Sequence, residues 1–200
     1  MGISAFVMVA AHAAKGTPDA GFELVETTYS PQRTFQIEHC FYRGTNRPSC
    51  YWQHWITDDE RPHKRTLLYE SDEAIDTLIS PDDSWIVLND RRGSDDMVAL
   101  LFRKSNGMRV NAMTNIDLKA EAFRAAALQQ GFAASQMFDH GYCEALCWLG
   151  PHSLVLHAWG HMSGGALLND WYCIYDIKNK QVHFDLSSIN KGAFERKSRQ

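Results

Sequence analysis

The sequence predicts a mainly β protein made of three blade-like antiparallel sheet units, a partial propeller-like arrangement, with one inserted α-helix. The first observation is a turn that recurs around Pro31, Pro81 and Pro151, each time after apolar residues and before a strand-like run. A turn repeated in matching context indicates a repeated structural unit. The second is an aromatic content of 12% with six tryptophans, which favours β structure. The third is that a single stretch has the composition of a helix.

The length of 200 residues, with ordinary apolar and charged fractions, is typical of one soluble domain with a sizeable core. We predict a single β-rich domain over residues 22–190. In chain order, the predicted parts are a candidate signal peptide at 1–14, units at 22–70, 74–113 and 142–186, a helix at 117–130 between the last two units, and a basic tail at 191–200.

An apolar run at residues 3–14 ends in Ala11-His12-Ala13, which matches the A-x-A pattern of a signal-peptide cleavage site. The run has the length of a signal-peptide core and is too short to cross a bilayer as a helix. The usual positively charged residues before the run are missing, so a buried segment of a cytoplasmic protein is the alternative. We expect a periplasmic or secreted protein with no transmembrane segment.

The first unit is predicted to have strands at 22–29, 34–42, 50–57 and 64–70. Cys40 and Cys50 flank a loop with turn-forming residues. If the strands on either side pair as a hairpin, the two Cβ atoms fall within bridging distance. A Cys40–Cys50 disulfide would fit an exported protein, and two buried free thiols are the alternative. With five cysteines in the chain, at least one thiol stays unpaired in a monomer.

The second unit has the clearest pattern, with strands at 74–79, 85–88, 97–103 and 108–113. The sequence Pro81-Asp82-Asp83-Ser84 is typical of a type I turn. The fully apolar strand that begins at Trp85 is expected to be buried on both faces. Four short antiparallel strands in about 40 residues match one propeller blade. If Asp83 adopts a positive φ, a glycine there is expected to be neutral or mildly stabilising.

The inserted helix is predicted at 117–130, where Thr114 or Asn115 can cap its start and Gly131 can end it. Its apolar stripe is expected to lie on the sheets and consists of Ile116, Ala120, Phe123, Ala127 and Leu128. The third unit follows, with strands at 143–149, 153–159, 168–176 and 181–185.

Residues 80–87, Ser-Pro-Asp-Asp-Ser-Trp-Ile-Val, are followed by Asp90, by Gly-Ser-Asp at 93–95 and by a strand that ends in Leu101-Phe102. This segment resembles the WD40-like repeat of TolB-type β-propellers, with Asp83 where that repeat usually has glycine. The resemblance implies a blade and often an exported protein. It brings no catalytic residue with it, since the motif is structural.

Aligning the second strands of the three predicted units indicates a candidate binding site. The register places His39, Asn89 and His157 at equivalent positions near the ends of the second strands of the three units. Ligand sites of repeat folds often lie at one end of the stack, where loops converge. The predicted site therefore consists of these three residues and their polar neighbours Asp90, Arg91, Arg92 and His161.

Catalytic and metal-binding motifs are not found in the sequence. His157 and His161 would lie ~13 Å apart on a strand and could not share an ion. No nucleophile elbow or phosphate-binding glycine loop occurs. We therefore predict no catalytic residue, no metal ligand and no cofactor.

The resulting hypothesis is an exported, non-enzymatic binding or interaction protein, such as an inhibitor or immunity-type partner, that contacts a protein or an envelope ligand. The net charge of −4 argues against a nucleic-acid partner. A metal-dependent hydrolase that uses His39, Asp90, His157 and His161 is the alternative function. We expect a monomer whose helix covers an exposed sheet flank, with a homodimer as the alternative.

Overall fold

The fold is mainly β with a single helix in the described part of the chain, as the sequence predicts. A computed structural model describes residues 21–44, 51–58, 64–105, 109–130, 138–162, 167–183 and 186. In chain order the elements are β1 Phe22–Tyr29, β2 Phe35–Tyr42, β3 Trp52–Asp58, β4 Arg65–Ser71, β5 Asp76–Ile79, β6 Trp85–Arg91, β7 Asp96–Lys104, β8 Val110–Ala112, α1 Leu118–Gln130, β9 Phe138–Trp148, β10 Ser153–Met162, β11 Leu167–Asp176 and β12 Gln181–His183.

The strands form three groups of four: the first group is β1–β4, the second β5–β8 and the third β9–β12. Within each group, neighbouring strands in the chain pair antiparallel. The second and third groups do not stay separate, because β7 pairs in parallel with β9 through Asp96 opposite Gly141 and Met97 opposite Tyr142. The result is a four-stranded sheet and an eight-stranded sheet.

Two side chains support this junction between the second and third groups. The Lys119 ammonium group on α1 donates to the Asp96 carboxylate and, at 2.6 Å, to the carbonyl of Gly141. The Asn89 side-chain amide on β6 donates to the Ala145 carbonyl and accepts from the Ala145 N–H, both at 2.8 Å. Asn89 therefore satisfies the backbone of β9 as a neighbouring strand would.

The proline turn recurs with the same hydrogen bonds in the first two groups. The Ser30 N–H donates to the Phe35 carbonyl at 3.0 Å, and the Ser80 N–H donates to the Trp85 carbonyl at 2.9 Å. The residues at the equivalent third turn position, Arg33 and Asp83, have φ angles of 57° and 59°. The third group has a tighter turn, in which Leu149 pairs with Ser153.

Asp83 connects the first turn to the second. Its buried carboxylate accepts from the Ser30 hydroxyl at 2.8 Å, the Thr34 hydroxyl at 2.6 Å and the Gln32 N–H at 3.2 Å. Asp83 has the positive φ on which the glycine expectation depended, and its side chain has a second role that the turn sequence did not show.

Replacing Asp83 by Gly is therefore expected to destabilise the fold by about 2–3 kcal/mol. Glycine relieves the positive φ but leaves the buried Ser30 hydroxyl without its acceptor and removes the bonds to Thr34 and Gln32, and that loss is the larger effect. Chemical denaturation measures the change, with Asp83→Asn as the variant that keeps part of the hydrogen bonding. A neutral Asp83→Gly would show that the turn-to-turn bonds contribute nothing.

Two clusters of buried side chains form the core, one on each face of the second group. The first cluster joins the second group to the first sheet and includes Phe35, Ile56 and Leu88. The second joins it to α1 and the third group and includes Trp85 and Phe123. The predicted burial of residues 85–88 is confirmed, and β6 and its burial extend beyond them through Asn89 and Asp90, the second of which was predicted to lie in a loop.

The helix begins within one residue of the predicted start, but Asp117 rather than Thr114 or Asn115 caps it. Of the five residues predicted for its apolar stripe, Phe123 and Ala127 are buried and Ile116 packs against the core, whereas the other two are exposed. The Asp117 carboxylate accepts from the Ala120 N–H at 2.9 Å and caps the first turn. Ala120 is exposed and Leu128 is 67% exposed. The buried face consists of Leu118, Ala122, Phe123, Ala125, Ala126 and Ala127. A helix so rich in alanine has little contrast between its faces, so composition alone could not fix the register.

The predicted disulfide remains a prediction. Cys40 is a buried free thiol that lies opposite Gln53 in the β2–β3 hairpin. Burial raises the pKa of the Cys40 thiol. Cys50 and both terminal segments, 1–20 and 187–200, lie outside the described residues. Among the residues described, no helix has the length and hydropathy needed to span a membrane.

Candidate functional site

A cleft lies between the end of β4 and the loop after β6, where the first and second groups meet. Its volume is about 520 Å³, within the usual range for a small-ligand site. Its lining includes three residues of the predicted site, Asp90, Arg91 and Arg92. The opposite wall, which the sequence did not indicate, is contributed by Tyr69, Glu70, Ser71 and Asp72.

A hydrogen-bonded cluster of Tyr69, Asp90 and Arg92 lies at one side of the cleft. The buried Asp90 carboxylate accepts from the Tyr69 hydroxyl at 2.6 Å and from Arg92 Nε at 2.9 Å. Burial and the Asp90 carboxylate raise the pKa of Tyr69 to about 12, so its hydroxyl stays a donor at neutral pH. The cluster therefore holds Arg92 in place, with about half of its side chain, 48%, exposed.

The other charged residues that line the cleft make fewer polar contacts than Asp90 and Arg92. Within the described part of the chain, the exposed Arg91 and Asp72 make no ion pair, and Glu70 accepts from Gln53 Nε2 at 2.9 Å. Glu70 therefore points to the face of the first sheet opposite to that of Tyr69 and Ser71.

His39 does not line this cleft; it belongs to a buried chain of hydrogen bonds inside the first group. His39 Nδ1 lies 2.8 Å from His54 Nδ1, and His39 Nε2 lies 3.1 Å from the Thr28 hydroxyl. His54 Nε2 lies 2.8 Å from the Ser71 hydroxyl, which donates to the Glu73 carbonyl at 2.6 Å.

Counting donors and acceptors assigns the proton positions along this series of hydrogen bonds. Ser71 has one proton and gives it to a carbonyl, which can only accept, so His54 Nε2 carries a proton and donates to Ser71. His54 Nδ1 is then an acceptor, and His39 Nδ1–H donates to it. The Thr28 hydroxyl in turn donates to His39 Nε2. Both ring lone pairs are occupied, so neither histidine has a nitrogen free for a metal or for general-base catalysis in this arrangement.

The His39–His54 pair predicts acid-sensitive stability. Burial lowers the pKa of His39, and burial together with His39 lowers the pKa of His54 to about 3. The unfolded chain, with a histidine pKa near 6.5, binds more protons than the folded chain between about pH 3 and 6.5. Stability is therefore lost as the pH falls below about 6.5. From pH 7 to pH 5 we expect a loss of about 2 kcal/mol from His54 alone.

Denaturation at the two pH values measures this loss. His54→Gln, whose amide can both accept and donate, should reduce the pH dependence, and the exposed His161→Gln serves as control. Equal pH dependence in His54→Gln and the unmodified protein would contradict the assignment.

His157 lies elsewhere, on the face of the third group that is turned away from the α1 core. Its Nδ1 lies 3.3 Å from Glu144 and its Nε2 3.1 Å from Asp170. The ring stacks between Trp159 at 4.4 Å and Tyr172 at 4.5 Å. These contacts make His157 a component of a cross-strand stack of side chains.

The structure therefore does not bring the seven predicted residues together. His39, Asn89 and His157 do lie at matching positions of β2, β6 and β10, but each has different partners. The exposed His161 ring is 6.3 Å from that of His140. No group of three or more His, Cys, Asp or Glu side chains could hold a metal ion within the described ranges.

Comparisons with known proteins add little to this geometry. No protein-family model and no curated protein sequence matches the chain. Among solved structures, an uncharacterized protein from Listeria monocytogenes EGD-e resembles it with a TM-score of 0.42 and 10% identity, over 86% of this chain and 43% of that chain. The chain thus spans less than half the length of that protein, and a likeness at this level supports no conclusion about function.

Proposed function

We propose that this chain is a non-enzymatic binding protein whose ligand occupies the cleft between the first and second groups. The observation that carries the proposal is the cleft itself, where Arg92 is held in place by Asp90 and Asp90 in turn by Tyr69. Oriented polar groups in a concave site are typical of ligand recognition.

The contacts of the histidines favour a binding protein over a metal-dependent hydrolase. The four residues of that alternative, His39, Asp90, His157 and His161, lie in separate environments. His39 and His54 use their ring nitrogens for each other and for two hydroxyl groups, and Asp90 is engaged by Tyr69 and Arg92. We propose that the ligand belongs to a protein or envelope partner and that the chain acts as a monomer. Light scattering tests the oligomeric state, and a mass of twice 22.8 kDa would contradict the monomer.

A thermal-shift panel tests the binding proposal. The panel contains neutral, anionic, cationic and zwitterionic small molecules together with divalent metal ions. Asp72→Trp places a large ring in the cleft without touching the core, and Glu26→Trp makes the same change on the exposed edge strand β1.

We expect at least one organic compound to raise the Tm of the unmodified protein and of Glu26→Trp but not of Asp72→Trp. Metal ions are expected to have no such effect. Stoichiometric metal that is lost in His157→Ala would support the hydrolase instead. If no compound gives a shift that depends on Asp72, the binding proposal is wrong.

Export of the protein is a separate prediction. The apolar run before Ala13 is expected to be removed, so the intact mass of protein recovered from the periplasm or medium should lack about 13 residues. Peptide mapping without reductant then shows whether Cys40 is bridged to Cys50. Full-length, fully reduced protein in the cytosol would contradict export.

A further inference from the structure

The strand β1 is the one long edge strand that the described part of the fold leaves open. It lies at an edge of the first sheet, and five of its eight residues are exposed. At the other edge of that sheet, β4 has one exposed residue among seven. In the larger sheet, the strands β5, β8 and β12 have four residues or fewer. Because short edge strands offer little backbone to a further strand, β1 is the edge best suited to pairing with another chain.

The backbone of β1 has hydrogen-bonding groups that β2 does not use. The Ser30 N–H donates to the Phe35 carbonyl at 3.0 Å, which fixes the alternation of bonds in this antiparallel pair. Counting back from Ser30, Thr28 directs its N–H and carbonyl towards β2, whereas Thr27 and Tyr29 direct theirs away from the sheet. The backbone bonds found outside the strand ladders among the described residues include none from Thr27 or Tyr29. These groups are therefore available to a fifth strand.

One face of β1 is apolar and exposed. The register places Leu24 opposite Cys40 and Tyr29 opposite Gln36, on the face of the first sheet that is turned away from the second group. Leu24 is 50% exposed and Tyr29 48% exposed, and Val25, in the bulge next to Leu24, is 53% exposed. A fifth strand with apolar side chains on this face would cover them.

The other face of β1 is acidic. Glu26 lies opposite His39, and Asp76, at the start of β5, is close to the same histidine. Burial lowers the pKa of His39, and the carboxylates of Glu26 and Asp76 both act against that effect. Both carboxylates belong to exposed residues, and neither makes an ion pair with another described residue. Since like charges on neighbouring strands repel, a strand beside Glu26 is favoured when its side chains on this face are basic.

We infer that β1 binds an extended segment of a partner protein as a fifth strand of the first sheet, with basic side chains beside Glu26 and apolar side chains beside Leu24 and Tyr29. In this mode of recognition the backbone bonds supply affinity and the alternating side chains supply specificity. No described residue of β1 lines the cleft, so this inference goes beyond the proposed function and does not depend on it.

Two fluorescein-labelled peptides of eight residues test the inference. Lysine and valine alternate in the first, and glutamate and valine alternate in the second, so that the two share β propensity and apolar side chains. Fluorescence polarisation at physiological salt measures their affinity for the protein. We expect the lysine peptide to bind at least about ten-fold more tightly, because its charges complement Glu26 and Asp76.

Amide hydrogen exchange locates the bound peptide on the backbone. With the lysine peptide bound, we expect the N–H groups of Thr27 and Tyr29 to exchange at least about ten-fold more slowly, because they gain hydrogen-bond partners. The N–H of Thr28 already bonds to β2, so its exchange should change less. A peptide held only by the side chains of β1 would leave all three rates similar to those of the free protein.

Variants separate the backbone contribution from the charge contribution. Thr27→Pro removes an N–H that points away from the sheet, which an edge strand tolerates, and is expected to weaken binding about ten-fold. Thr27→Val keeps the N–H and is its control. Glu26→Lys is expected to weaken binding of the lysine peptide at least about five-fold. Asp95→Lys makes the same charge change on an exposed residue beside His140 of the third group and is expected to have no such effect.

The possible outcomes separate this inference from the alternatives. Equal affinity for both peptides, no binding of either, or unchanged exchange at Thr27 and Tyr29 would overturn it. A dimer of the protein alone that Thr27→Pro dissociates would show that β1 pairs with a second copy, which also overturns the inference. None of these results bears on the cleft, whose ligand is tested by Asp72→Trp.

Discussion

Phe123→Asp is expected to destabilise the protein by more than about 4 kcal/mol, or to prevent folding. Phe123 is 9% exposed and packs in the core cluster that joins α1 to both the second and the third groups. The substitution removes a large buried ring and places a carboxylate in its position. Lys119 cannot fully compensate, because its ammonium group already binds Asp96 and the Gly141 carbonyl.

Leu128→Asp is the matched control on the same helix. Leu128 is 67% exposed, so we expect a change below about 1 kcal/mol, part of it from a negative charge near the C-terminal end of the helix. Urea denaturation of both variants measures the difference. Comparable losses in the two variants would mean that the helix packs in the register read from the sequence, with Leu128 on the sheet.

Trp85→Ala is expected to cost about 3–5 kcal/mol, the range for large aromatic side chains removed from a core. Trp85 is 8% exposed and belongs to the same cluster as Phe123, and the Arg103 guanidinium group lies 5.5 Å from its ring centre. Trp85→Phe keeps most of the buried area and should cost much less. A Trp85→Ala protein within about 0.5 kcal/mol of the unmodified protein would contradict the burial of this face of β6.

The strands and turns could be predicted because their signals are local. The bounds of β1 in the structure, Phe22–Tyr29, match the run of residues predicted from the sequence. The turn at Ser80–Trp85 has the hydrogen bonds that its Pro-Asp sequence favours. For the same reason the sequence located Asp90, Arg91 and Arg92 near the end of an apolar strand, where the last two residues of β6 and the residue after it lie.

Features that depend on register between distant segments could not be predicted. The β2–β3 hairpin pairs His39 with His54 and Cys40 with Gln53, and the turn residues between the cysteines do not determine that offset. His54, Ser71 and Tyr69 were therefore missed as partners. The parallel contact of β7 with β9 also leaves no pattern in either strand, because it joins segments separated by the whole of β8 and α1.

That parallel contact has a consequence for the nascent chain on the ribosome. When β5–β8 have been synthesised, the first half of β7 has β6 on one side, but its other side has backbone groups without a strand partner until Gly141 and Tyr142 emerge. Such an unpaired strand edge is a site for association with another chain. This edge of β7 therefore stays open to misassembly during the interval between translation of β7 and of β9, whose length depends on the time taken to translate β8 and α1.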